Sequence, residues 1–244
     1  MCGRYCLTTP AQSMQRLFGF MGPLPNWPAR YNIAPTQLVP IVRQAQAGGD
    51  GAGKASAARR ELVQARWGLV PFWAREAAIG AKMINARAEG IAEKPTFRGA
   101  IRARRCLVPA DGFFEWWATP RGKRPYWIGL KGGASEEPPL FAFAGLWERW
   151  TKAPDGVPLE SCTIVTTEAN ALLRPIHDRM PVILAPAEYG TWLDPASVLP
   201  DALALLKPYP AEAMTIHPVS TRVNSVRFDD ALCIAPEGEQ PGLL

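Results

Sequence analysis

Histidine is scarce in this 244-residue chain: there are two, His177 and His217, beside five cysteines at positions 2, 6, 106, 162 and 233 that form no CxxC pair. Structural zinc sites draw on paired cysteines and histidines, so no metal site is expected. The odd, unpaired cysteine set argues equally against a disulfide framework. No run approaches about 18 apolar residues, and no apolar h-region stands at the N-terminus, so neither a membrane span nor a signal peptide is expected. The expectation is a soluble, cytoplasmic protein, by default a monomer, with no cofactor. Neither an internal repeat nor a convincing linker occurs, so one domain is expected over residues 1–234, followed by a loose polar tail over 235–244.

What is present is a substantial core and a mild positive charge. Hydrophobic residues make up 48% of the chain and there are nine tryptophans, which argues against disorder. The balance of 27 Lys+Arg against 22 Asp+Glu gives +5, compatible with a polyanionic partner. Arg102, Arg104, Arg105, Arg121, Lys123 and Arg124 sit close in sequence to Phe113, Phe114, Trp116, Trp117, Tyr126 and Trp127. Cations interleaved with stacking aromatics compose a single-strand binding surface; the same residues would also make a charged loop beside core aromatics.

The N-terminus reads Met1-Cys2-Gly3-Arg4-Tyr5. A small second residue favours removal of the initiator methionine, which would leave Cys2 with an amine and a thiol two bonds apart. An α-amino group titrates near about 7.7–8.0 and a free thiol near about 8.5, so both are partly reactive at neutral pH. The amine can condense with an aldehyde, and the thiol can close onto the imine as a thiazolidine.

Along the chain, residues 3–7 read as a strand. Thr9 and Gln12 form a capping box around Pro10, opening a helix whose Met14, Leu17 and Phe18 share a face. Residues 37–43 and 61–70 read as paired strands around a Gly/Ala-rich connection. Within it, residues 48–54 nearly spell a phosphate-binding loop, but Ala55 stands where a hydroxyl is needed. In extended form Asn85, Arg87 and Glu89 make a polar row beside small alanines, facing either water or a cleft. Residues 93–104 look helical. CLVPADGFFEWW makes a strand, a turn at Ala110-Asp111-Gly112 and a second strand, on which Glu115 lies between Phe113 and Trp117 on one side. That setting would raise its pKa and let it exchange protons near neutrality. Strands follow at 124–130, 140–150 and 161–168. Helical turns over 170–176 then deliver His177, a proton-shuttle candidate, and an apolar strand follows. Further helical segments fall near 186–193 and 200–206, and a last strand near 213–219 carries His217, which would cap or pack.

Six blocks taken in order resemble the SOS-response-associated peptidase (SRAP) family: Cys2-Gly3-Arg4-Tyr5, Tyr31-Asn32-Ile33-Ala34-Pro35, Arg66-Trp67-Gly68-Leu69-Val70-Pro71, Asn85-Ala86-Arg87-Ala88-Glu89, Arg105-Cys106-Leu107-Val108-Pro109-Ala110 with Gly112-Phe113-Phe114-Glu115-Trp116, and His177-Asp178-Arg179-Met180-Pro181. The resemblance spans about residues 2–185; the Gly/Ala insertion near 44–60 and the loop near 150–160 have no counterpart in it. It implies a single β-rich α+β domain with a curved, barrel-like mixed or antiparallel sheet, short flanking helices and a positively charged channel. It also implies a sensor of abasic sites in single-stranded DNA that links itself covalently to the lesion through Cys2. Asn85, Glu115 and His177 match the family's active-site positions. Arg4, Arg87 and Arg179 match its phosphate contacts, and Asn32, Trp67 and Thr166 fall where it lines the DNA cleft. Two alternatives stand beside this: a thiol (auto)peptidase with Cys2 as nucleophile, and a non-covalent single-strand binding module.

Overall fold

The computed structural model describes residues 2–46, 59–120, 122–132, 139–154 and 156–238. In chain order its strands and α-helices are β1 (Tyr5–Leu7), α1 (Ala11–Phe18), β2 (Phe20–Met21), β3 (Arg30–Ile33), β4 (Leu38–Gln44), β5 (Arg60–Trp67), β6 (Asn85–Arg87), α2 (Arg98–Ala103), β7 (Arg105–Ala110), β8 (Gly112–Thr119), β9 (Gly122–Leu130), β10 (Phe141–Trp150), β11 (Leu159–Glu168), β12 (Arg179–Pro181), β13 (Ile183–Leu184), α3 (Tyr189–Leu193), α4 (Leu199–Ala204) and β14 (Met214–Pro218).

Strands β11, β10, β7, β4 and β5 form an antiparallel series that closes on itself, because β5 also pairs in parallel with β11, Ser161 opposite Arg66 and Cys162 opposite Trp67. Closure satisfies the edge groups that an open sheet would leave unpaired. The result is the β-rich α+β fold expected, built on a closed five-stranded mixed barrel with short helices. A second sheet, in the order β14-β9-β8-β1-β3, packs against it. Tyr5 meets Trp67 and Phe143 edge-on at centroid distances of 5.3 and 5.9 Å, and Phe113 meets Phe143 at 5.9 Å. Large rings packed this way dominate the joint between the sheets. The opposite side of the second sheet, with Phe114 and Trp127, is covered by Val219, Val223 and Cys233 of the C-terminal segment.

The expected turn at Ala110-Asp111-Gly112 is a corner between sheets. β7 belongs to the barrel and β8 to the second sheet, so the two strands do not pair. Asp111 is buried there, and its carboxylate accepts the Thr8 hydroxyl (2.8 Å), the Thr9 amide (2.9 Å) and the Thr9 hydroxyl (2.7 Å). Thr9 therefore does not cap α1, which begins after Pro10 without a side-chain cap. Gly112 is required by close approach, since a Cβ there would lie 2.3 Å from the Trp127 ring.

The β4–β5 hairpin forms as expected, and the phosphate-loop-like stretch 48–54 lies outside the described residues. Residues 171–176 are successive turns rather than helix, and α2 begins only at Arg98. Of the tail expected over 235–244, residues 239–244 lie outside the described residues. Pro236 bridges to Val219, and the Glu237 amide donates to the Pro218 carbonyl at 2.9 Å. No helix of the described residues is long and apolar enough to cross a membrane.

Candidate active site

Cys2 lies three residues before the start of β1 and is completely buried. β6 runs parallel to β11 with Asn85 opposite Ile164, which brings the Asn85 side chain to the N-terminus, where Nδ2 donates to the Cys2 carbonyl at 2.9 Å. Asn85 Oδ1 is buried and has no hydrogen-bond partner among the described residues. The alternation seen in the sequence holds: Ala86 is buried, Asn85 is half-buried and Arg87 is exposed.

Glu115 is 3% exposed on β8. Burial raises its carboxyl to a pKa of about 7, and the positive charge of the amino terminus and the Trp116 amide act against that rise. The carboxylate is felt at Cys2, whose thiol is held well above its ordinary range, first by burial and then by the Glu115 charge. The thiol is therefore protonated at neutral pH.

His177 sits in the turn before β12. Its Nδ1 accepts the Arg179 amide at 2.9 Å and lies equally 2.9 Å from Asp178 Oδ1. The two contacts ask opposite things of Nδ1, a lone pair for the amide and a proton for the carboxylate. The Asp178 side chain is 86% exposed, so its pull is screened, and burial followed by the amino-terminal charge lowers the His177 pKa. We therefore assign a neutral ring with the proton on Nε2. Glu115, Trp116, Lys123, His177 and Asn224 line one open cleft. Asn85 holds Cys2, the Glu115 charge reaches the Cys2 thiol, and Glu115 shares the cleft with His177, so four residues drawn from positions 2 to 177 converge at one place.

The residues expected to contact DNA divide. Arg87 is exposed, and the half-buried Arg179 side chain clasps Glu89. Arg4 Nη1 donates to Asn32 Oδ1 (2.8 Å) and to the Val223 carbonyl (2.7 Å). Asn32, 1% exposed, donates in turn to the carbonyls of Val223, Ser225 and Phe228. Arg4 and Asn32 therefore bind the C-terminal segment to β1 and β3. Trp67 is fully buried with Nε1 donating to the Ile84 carbonyl at 2.9 Å, and Thr166 is fully buried on β11. In this conformation Asn32, Trp67 and Thr166 present no surface to a ligand; they brace the walls behind it.

The basic and aromatic cluster also splits. Arg105 is buried and donates to the carbonyls of Ile101, Trp192 and Asp194, while Arg104 pairs with Glu148 at 2.8 Å. Phe113, Phe114 and Trp127 belong to the core, and Arg121 lies outside the described residues. Trp116, Trp117, Lys123, Arg124 and Tyr126 remain on the β8–β9 hairpin, with Arg124 over the Tyr126 ring at 5.7 Å. His217 packs as expected, stacked on Trp127 with its Nε2 at 2.9 Å from the Ile234 carbonyl. Asn224 is a cleft residue that sequence reasoning missed: its Oδ1 accepts Trp116 Nε1 at 2.7 Å, a contact across more than a hundred residues with no local signal.

A closed mixed barrel with an apposed second sheet, presenting a cysteine at position 2 beside a buried carboxyl and a neutral histidine, defines the structural class. The chain belongs to the SOS response associated peptidase (SRAP) family, whose model matches residues 1–226. It is 43% identical over 229 residues to the abasic site processing protein YoqW of Bacillus subtilis, covering 92% of this chain and 95% of that one. It is 38% identical over 201 residues to the abasic site processing protein HMCES of Gallus gallus, covering 75% of this chain and 59% of that one. Its fold is similar to a crystal structure of a Bacteroides thetaiotaomicron protein, with a TM-score of 0.81, 28% identity, and coverage of 96% of this chain and 99% of that one.

Proposed function

We propose that this chain processes abasic sites in single-stranded DNA by covalent capture through Cys2 after removal of Met1. The observation that carries the reading is the convergence of Cys2, anchored by Asn85 at its carbonyl, with a Glu115 carboxyl of pKa about 7 and a neutral His177. The names of the relatives point to the same lesion.

The chemistry follows from the protonation states. An abasic deoxyribose rests mostly as a closed hemiacetal; as it opens, the Glu115 carboxylate takes the proton of the anomeric hydroxyl and delivers it to the ring oxygen, while the Nε2–H of His177 donates a hydrogen bond to that oxygen. The neutral Cys2 amine then attacks C1′. Glu115, poised near neutrality, takes the proton released by nitrogen and returns it to the departing hydroxyl, which leaves as water. The Cys2 sulfur adds to the imine carbon and its proton passes to nitrogen, closing the thiazolidine. Asn85 fixes the Cys2 main chain throughout.

A protonated thiol suits this order, because the amine acts first and the sulfur needs no prior ionisation. It does not suit a thiolate peptidase, which depends on a lowered thiol pKa. Arg4, Arg87 and Arg179 supply the sequence-independent attraction to phosphates.

The test is denaturing electrophoresis after incubating the mature protein with single-stranded DNA carrying one abasic site. The expected result is a heat-stable shifted band that disappears in Cys2→Ala and is weaker with duplex DNA. Strong binding in a native gel with no such band would replace this reading with that of a non-covalent binding module.

A further inference from the structure

β11 is flanked near its C-terminal end by two short strands, β12 on one edge with Arg179 opposite Glu168, and β6 on the other with Arg87 opposite Thr166. Glu89, two residues past the end of β6, is thus separated from Arg179 by the width of a strand, yet the two side chains meet. The Arg179 guanidinium reaches across β11, donates to the Thr166 carbonyl at 2.6 Å, and forks onto the two Glu89 oxygens at 2.7 and 2.8 Å. The Arg179 side chain is 12% exposed and that of Glu89 is 58% exposed, so the carboxylate lies on the solvent side of the guanidinium. The hydrogen bonds from Arg179 hold the Glu89 carboxyl below its ordinary pKa, keeping it ionised. Arg179 Nε is buried with no partner among the described residues, so the guanidinium has a further N–H to give.

A carboxylate and a phosphodiester offer a guanidinium fork the same pair of acceptor oxygens. We propose that Glu89 holds, in the free protein, the seat of a DNA backbone phosphate on Arg179, and that it is exchanged for that phosphate when single-stranded DNA enters the cleft. The inference rests on the reading of the cleft given under the proposed function. Two consequences make the arrangement useful. The long Arg179 side chain is ordered before DNA arrives, so less rotamer entropy is lost on binding. The Arg179 amide, which fixes Nδ1 of His177 at 2.9 Å, is kept in place with it. Leaving demands little of Glu89 itself, because its side chain is mostly in water and water solvates the carboxylate once it is released.

The experiment measures affinity for an oligothymidylate by fluorescence anisotropy at one fixed low salt concentration. It compares the intact chain with Glu89→Gln, Glu93→Gln, Arg179→Ala and the Glu89→Gln/Arg179→Ala pair. Exchange predicts that Glu89→Gln binds roughly twofold to fivefold tighter, since no ion pair has to be broken. Glu93→Gln removes the same charge from a nearby exposed position and should gain less. In the Arg179→Ala background the gain should vanish. A merely structural defect in Glu89→Gln would weaken binding, so the sign separates the two. If Glu89→Gln binds no tighter than Glu93→Gln while Arg179→Ala binds poorly, Glu89 is a permanent support for Arg179 and exchange is wrong, although the cleft reading stands. If Arg179→Ala binds as well as the intact chain, Arg179 takes no phosphate, and the exchange falls together with that part of the proposed function.

Discussion

Glu115 carries the pH dependence of the site at the scale of single residues. Folding raises its pKa from the ordinary carboxylate value of 4.5 to about 7, so the folded chain keeps a proton that the unfolded chain gives up. The stability linked to that proton is fully present below about pH 4.5 and is lost as the pH rises through about 7. Glu115→Gln cannot ionise, so it should raise the denaturant stability by about 1–3 kcal/mol at pH 8 and leave it unchanged at pH 4. The same carboxyl should set an inflection near pH 7 in the rate of covalent capture. Glu115→Gln should slow capture and flatten that inflection; an identical pH profile in the variant would remove Glu115 from the proton transfers. The sequence already suggested the raised pKa, because alternation put Glu115 between Phe113 and Trp117. It could not show that Glu115 lies close enough to Cys2 for its charge to act on the thiol, since that proximity is created by the pairing of Tyr5 with Phe113 between β1 and β8.

Periodicity made several elements legible, and the partners of short strands were hidden from it. The β4–β5 pairing, the long strands β10 and β11, and β14 were all readable from apolar runs and turn residues. The turn at Asp111 was legible between its two strands, but not that they diverge into separate sheets, because the run on either side looks the same whether the strands pair or part. The resemblance puts Asn32 of the Tyr31-Asn32-Ile33-Ala34-Pro35 block along the DNA cleft; in the fold Asn32 also clamps three carbonyls of the C-terminal segment, a role with no local signal. Removing its side chain leaves the buried Val223 carbonyl and two part-buried carbonyls short of a donor, and a buried polar group left so costs about 1–3 kcal/mol. Asn32→Ala should therefore cost about 2–4 kcal/mol of stability by denaturant unfolding. It should also open residues 221–230 to limited proteolysis while the barrel stays resistant. Cleavage no faster than in the intact chain would mean that Phe114, Trp127, Val219 and Val223 hold the segment without the clamp.

The whole molecule carries a formal charge of +5, and that excess is functional only where arginines have surface to offer. Composition suggested a broad cationic and aromatic face, whereas the fold spends Arg105 on buried carbonyls and Arg104 on Glu148. Arg4 is engaged by Asn32 and Val223, and Arg179 by Glu89, which leaves Arg87 as the exposed member of the three expected phosphate contacts. Their roles therefore separate in a salt titration. For single strands the logarithm of affinity falls with the logarithm of salt at a slope of about −0.7 per phosphate neutralised. Arg87→Ala should reduce that slope by about 0.7 while the unfolding midpoint stays where it was. Arg4→Ala should lower the unfolding midpoint as well, because it also unties the C-terminal segment from β1. An unchanged slope in Arg87→Ala would place the DNA track on the Lys123 and Asn224 side of the cleft, away from β6, and would detach Arg87 from recognition altogether.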